Sequence, residues 1–285
     1  MAESSIPVDL FNPGQVFACL GFLEAADMLC GNAEGGFDWS NESDVKFCLR
    51  TAGNENPFKE VLAFLAEAKF EPETPENRCS EEERLEQKLC GWTKSKVFPS
   101  VLPDKDSALP VRIIGKNKKQ IVLGHWADGS SRNKFKLYAG NRSALGIATV
   151  MQESILELWK SKREKLTTQP FDITTSMSGS FNFDPRGAWT TIDAGYSPNR
   201  QGHRVEASPV VEILAAWGLE NARPDEFEVR KVRYAAWGLV LPPILARVAL
   251  IGGVAVVPMK RFRFKLYMSG KNKIVTFAEQ EVDYG

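Results

Sequence analysis

Apolar positions recur at helical spacing through "NPGQVFACLGFLEAADMLCG", where Phe17, Leu20, Leu23 and Leu29, with Ala25 and Ala26 between them, form one stripe. Asn12 is placed to cap this helix, Pro13 fits its first position, and Gly31 follows Cys30 as a left-handed stop. The Asn-Pro start recurs at Asn56 and Pro57, which predicts a second helix over "NPFKEVLAFLAEAKF". Between the two, "FDW" and "VKFCLR" read as a short β-hairpin. From Glu71 to Lys88 the chain is acid-rich with few apolar positions, and Ser80 with Glu83 forms a capping-box pattern. That predicts a short solvated helix inside a mobile insertion at about 71–90.

Beyond Pro99, Pro103 and Pro110 the period changes. "VRII" and "IVLG", separated by "GKNKKQ", predict strand, turn and strand, and "KFKLY" at 134–138 predicts another strand. A long helix is expected from about Ala144 to Lys162, with Leu145, Ala148, Gln152, Ile155 and Trp159 along one face. Phe171 to Phe183 reads as strand with a flexible middle at "SMSGS", and "SPVVEILAAWG" as a helix capped by Ser208. "FEVRKVRYAAWG" follows, then a bend at Pro242 and Pro243, a short apolar helix, and the hairpin "MKRFRFKLYMSGKNKIVTF". Helices and strands mix without a βαβα rhythm, so the expected class is α+β with a mixed, largely antiparallel sheet.

Composition changes this picture mainly through charge. The 285 residues carry 36 acids and 36 bases, yet the first 100 hold 18 acids against 9 bases, leaving 18 and 27 to the rest. An acidic region at 1–100 thus precedes a basic α+β region at 101–285, the two expected to pack as one unit. The five cysteines (Cys19, Cys30, Cys48, Cys79, Cys90) are odd in number and lack a CxxC pair, which favours free thiols in a reducing compartment. No stretch approaches 18 apolar residues and "MAESSIPVDL" has no basic segment ahead of an apolar run, so a cytoplasmic protein with no membrane association is expected.

The basic strands are the chemically suggestive feature. Alternation puts Lys134, Lys136 and Tyr138 on one face, with Phe135 and Leu137 on the other. It puts Arg261, Arg263 and Lys265 on one side of the C-terminal strand, opposite Phe262, Phe264 and Leu266. Lys116 and Lys118 lie in the first "GKNK" turn, and Asn141 and Arg142 precede Ser143, where exposed N–H groups of a helix start favour an anion. A row of cations ending in an aromatic ring suits a phosphate backbone with a stacked base. The competing reading is a solvated strand whose lysines guard an edge against aggregation.

Catalysis finds less support. His125 and His203 stand in no metal-ligand spacing, and His125 beside Trp126 reads as structural. Asp184 and Asp193 are the carboxylates a metal-dependent nuclease would need, although "FDPRGAW" and "DAG" read equally as turn chemistry. No phosphate-binding loop, nucleophile elbow or dinucleotide fingerprint is present. No cofactor is expected.

Three segments, "NPGQVFACLGFLEAA" at 12–26, "GHWADGSSRNKFKLYAGNRSA" at 124–144 and "FDPRGAWTTIDAGYSPN" at 183–199, resemble the small large-subunit-like family of type I-G (formerly I-U) CRISPR systems. The resemblance implies a non-catalytic subunit of a crRNA-guided surveillance complex. Its partners would be crRNA, target DNA, the backbone and repeat-processing subunits and the helicase-nuclease. In such complexes guide pairing supplies sequence specificity, while protein subunits hold backbones, read a short flanking motif and stabilise the displaced strand. Within the matching segments Asn141, Arg142 and Asn199 are the best-placed contact residues. A backbone-type crRNA-binding subunit and a metal-dependent nuclease are the alternatives.

Overall fold

The structure is a computed structural model that describes residues 1–73, 108–127, 134–138, 142–176, 179–187, 206–254, 256–269 and 271–281. It is an α+β fold whose strands pair antiparallel throughout the described residues.

At its centre is α1 (Pro13–Cys30), opened as expected by the Asn12 side chain, which accepts from Gln15 N, and closed at Gly31 with φ 75°. The apolar stripe understates its burial. Every residue from Pro13 to Ala26 is buried, because the helix is wrapped on all sides. The helices around it are α2 (Pro57–Glu67), α3 (Ala144–Ser161), α4 (Arg163–Thr168), α5 (Pro209–Asn221) and α6 (Pro243–Leu250). The helix α5 lies closest: a Cβ at Gly21 would meet the Leu214 carbonyl oxygen at 2.0 Å, and one at Gly218 the Phe17 carbonyl oxygen at 2.2 Å. Two glycines therefore let the backbones touch.

Three sheets cover this helical centre. The first has the order β1 (Ala2–Pro7), β3 (Lys46–Thr51), β2 (Glu34–Asp38); β1 has no counterpart in the sequence reading. The second joins β4 (Lys69–Pro72), β5 (Val111–Ile114) and β6 (Gln120–Leu123). Two short strands, β7 (Thr175–Ser176) and β8 (Glu206–Ala207), pair by themselves. The third sheet runs β12 (Asn272–Val275), β11 (Met259–Ser269), β10 (Lys231–Trp237), β9 (Asp225–Glu228), with β13 (Glu279–Gln280) also on β11. Its inner face carries Tyr234 and Phe264 onto Phe17 of α1, with ring centroids 5.6 and 6.1 Å away. Each such buried ring contributes about 1.5–3 kcal/mol.

Two expectations need correction here. The charged segment was expected to leave the fold at Glu71, but Glu71 and Pro72 pair with Arg112 and Val111. Glu73 is buried, held by Arg112 Nε and Nη2 at 2.6 and 2.8 Å. An acid with an arginine fork and a backbone bond to Pro110 O has no reason to stay in solvent. Residues 74–88, with Cys79 and the Ser80–Glu83 pattern, lie outside the described residues. Among the described residues between Phe171 and Phe183 the only strand is the two-residue β7; Phe171, Phe181 and Phe183 are buried by aromatic packing rather than by a sheet ladder.

Candidate nucleic-acid interface

The alternating burial of β11 follows from its sequence. Phe262, Phe264 and Leu266 point inward and are buried, whereas Arg263 and Lys265 are exposed and Arg261 is half-buried. On the neighbouring strand Val232 and Tyr234 take the inner face, so Lys231 and Arg233 share the outer one. Register then sets like charges against each other: Lys231 opposite Lys265, and Arg233 opposite Arg263. Sequence reasoning missed Lys231 and Arg233, although the alternation "KVRY" carries the signal.

Carboxylates edge this patch. Glu279 of β13 accepts from Arg263 Nη2 at 3.2 Å, and Glu281 from Arg233 Nε at 2.7 and 2.9 Å. Glu228 pairs with Lys231, and that hydrogen bond holds its carboxyl below the usual range. The face is a ladder of cations with acids along its rim, not an unbroken cationic strip. Phe227 lies under Arg233, 4.4 Å from ring centroid to guanidinium, and Tyr267 is 40% exposed at the far end.

The segment 134–138 does not match its expectation. It forms no strand; its backbone meets β12 where Lys273 N donates to Leu137 O at 2.9 Å. Phe135 and Leu137 are buried as the alternation implies, but so is Tyr138, which turns in against Trp126 and Phe181, 6.2 and 5.9 Å between ring centroids. Burial pushes its phenol well above the ordinary tyrosine range. It presents no ring to a base, because packing in an aromatic cluster outweighs exposure on an irregular segment. Lys136 Nζ sits 4.6 Å over that ring, and Lys134 reaches Asp225 at 3.3 Å.

The remaining candidates divide. Ser143 caps α3 as expected, its hydroxyl accepting from Gly146 N at 3.0 Å, and Arg142 is exposed just ahead of it with its guanidinium beside Gly179. Lys116 and Lys118 are exposed in the β5–β6 turn, where Lys118 has φ 64° and Lys116 pairs with Glu67 at 2.7 Å. The next residue, Lys119, is fastened to the Met28 and Leu29 carbonyls at the end of α1. The middle of β11 packs at the opposite end, with Phe262 against Phe11 at 5.5 Å. An 18-residue helix is roughly 27 Å long, so turn and strand are not one surface. Asn141 and Asn199 lie outside the described residues.

Asp184, the candidate metal ligand, has a structural job instead. It is buried, and its oxygens accept from Asn12 Nδ2 at 3.2 Å, Ser208 N at 3.0 Å and Arg186 Nη2 at 2.6 Å. Asn12 and Ser208 cap α1 and α5, so this carboxylate joins two helix starts. Glu212 lies beside it with Oε1 accepting from Phe183 N and Asp184 N. Burial raises its pKa to about 7, the backbone bond from Asp184 opposing and the Asp184 charge adding to the rise. His125 is buried with its ring 4.7 Å from Trp126, and desolvation lowers its pKa to about 3. Asp193 and His203 lie outside the described residues. Among the described residues no group of three or more His, Cys, Asp or Glu is placed to hold a metal, and no helix is long and apolar enough to cross a membrane. No family model, curated protein or solved structure matches this chain.

Proposed function

We propose that the chain is a non-catalytic subunit of a crRNA-guided type I CRISPR surveillance complex and binds nucleic acid through the outer face of β10 and β11. The family assignment is supported by the three sequence segments alone. The observation that carries the binding reading is the register of like charges, Lys231 on Lys265 and Arg233 on Arg263. Directly opposed like charges weaken an antiparallel pair by a few tenths of a kcal/mol each, and apolar packing beneath already holds these strands together. Rim carboxylates offset part of that repulsion, and a polyphosphate would offset the rest: it neutralises both rows and releases its own counterions. Target DNA and crRNA are the expected ligands, with the backbone, repeat-processing and helicase-nuclease components as protein partners.

The test separates a structural lysine from a binding one. Lys265→Thr removes one member of an opposed pair and suits an exposed strand position. Melting temperature should hold or rise, while target-DNA affinity of the reconstituted complex falls and its log–log salt slope shrinks by about one. A variant that melts early yet binds as wild type would overturn the reading.

A further inference from the structure

Where α6 ends beside the outer face of β10 and β11, the surface holds a pocket of about 440 Å³, within the size range of small-ligand sites. Its floor follows from register. Ala235 stands opposite Arg261, two residues along from Arg233, so a methyl occupies an outward position whose neighbours are long cations. Ala235 is buried beneath them, which recesses the floor between the two guanidinium groups. Ile251 and Gly252 form the wall toward α6; a Cβ at Gly252 would lie 3.9 Å from Arg261 Nε, and its φ of 81° turns the chain there. Two carbonyls of the helix end, which would repel an anion, are occupied: Gly252 N donates to Ala249 O at 2.8 Å and Gly253 N to Val248 O at 2.9 Å.

An anion already sits at this place. The Glu281 carboxylate takes Arg233 Nε at 2.7 and 2.9 Å, and the Glu281 backbone N–H donates to Arg261 O at 2.8 Å, which hangs the residue over the pocket. We propose that the pocket binds one backbone phosphate of a nucleic acid and that Glu281 is its built-in competitor, holding the anion position on Arg233 until a phosphate displaces it. This rests on the nucleic-acid reading above and adds where a phosphate goes and what restrains it. A guanidinium offers carboxylate and phosphate the same planar fork, so the exchange keeps the charge-assisted bonds of Arg233 and returns Glu281 to water. The side chains of Arg233 and Glu281 are 47% and 17% exposed, so solvent and an incoming anion reach this ion pair from the arginine side. The half-exposed Ile251 offers apolar surface beside the phosphate for a sugar edge.

The experiment measures binding of a fluorescein-labelled single-stranded oligonucleotide to the full chain at two salt concentrations, with circular-dichroism melting of each variant as the folding check. Glu281→Gln removes the competing charge but keeps the shape, and should tighten binding roughly three- to tenfold at low salt. Arg233→Ala should weaken it about tenfold. The double variant should match Arg233→Ala, since the competitor acts only through that arginine. If wild type binds and Glu281→Gln binds no tighter, the pocket is overturned and the wider reading stands. If neither wild type nor Glu281→Gln binds, both fall.

Discussion

Glu212 and His125 are buried ionisable side chains whose shifts oppose each other. Glu212 is raised to about 7, so between its ordinary value of about 4.3 and 7 the folded chain keeps a proton that the unfolded chain has lost, and stability falls as pH rises through that window. The size is on the order of 3 kcal/mol. His125 is lowered to about 3, so between 3 and its ordinary value of about 6.5 the unfolded chain holds the extra proton, and stability falls as pH drops. From about pH 4.5 to 6.5 the two slopes cancel, giving a plateau, with a steep loss below it where only His125 acts. Glu212→Gln should remove one slope and expose the other: urea unfolding should show stability rising by about 1.4 kcal/mol per pH unit from 4.5 to 6.5 in the variant. A variant profile parallel to that of wild type would show that Glu212 is ionised in the fold.

At the level of elements, α1 and α5 are in backbone contact at two glycines, and that contact sets the spacing of the core. Gly218→Ala would place a methyl 2.2 Å from the Phe17 carbonyl oxygen, where no side-chain rotation can relieve it. The helices must separate, at a cost of about 3 kcal/mol or more. Gly53→Ala is the control, with its nearest neighbours at 3.8 and 3.9 Å, and should melt within a few degrees of wild type. Equal melting temperatures for the two would show that α5 shifts freely. Much of this layer was legible in the sequence because caps and alternation act locally: Asn12, Asn56, Ser143 and Ser208 all cap the helices they precede, and β11 alternates as read. What misled was local pattern without local partners. "KFKLY" at 134–138 and "RFKLY" at 263–267 share Phe-Lys-Leu-Tyr, yet the second is a strand because β10 pairs with it, whereas the first is not and loses Tyr138 to Trp126 and Phe181. Strands β1 and β4 were missed because both find their partners at long range, at Lys46–Thr51 and Val111–Ile114.

Across the whole molecule, the candidate site was half legible: Arg261, Arg263 and Lys265 could be read from one strand and the alternation of Lys231 and Arg233 from another, but their placement opposite each other, and the carboxylates along the rim, follow only from register. The same geometry separates cations that the sequence suggested grouping. Lys116 and Lys118 sit in a turn whose Lys119 is tied to the carbonyl end of α1, while β11 crosses near its start. At physiological salt a Debye length is about 8 Å, well short of the roughly 27 Å length of α1, so the two groups act independently. A nucleic acid held on the sheet face therefore gains nothing from the turn. Arg263→Ala should reduce the log–log salt slope of oligonucleotide binding by about one and weaken binding at every salt concentration. Lys116→Ala combined with Lys118→Ala should leave slope and affinity within error of wild type, although it removes two charges against one. Total charge alone predicts the opposite order, with the double variant losing more. Fluorescence anisotropy across a salt series decides between them, and a larger slope change in the turn variant would move the interface off β10 and β11.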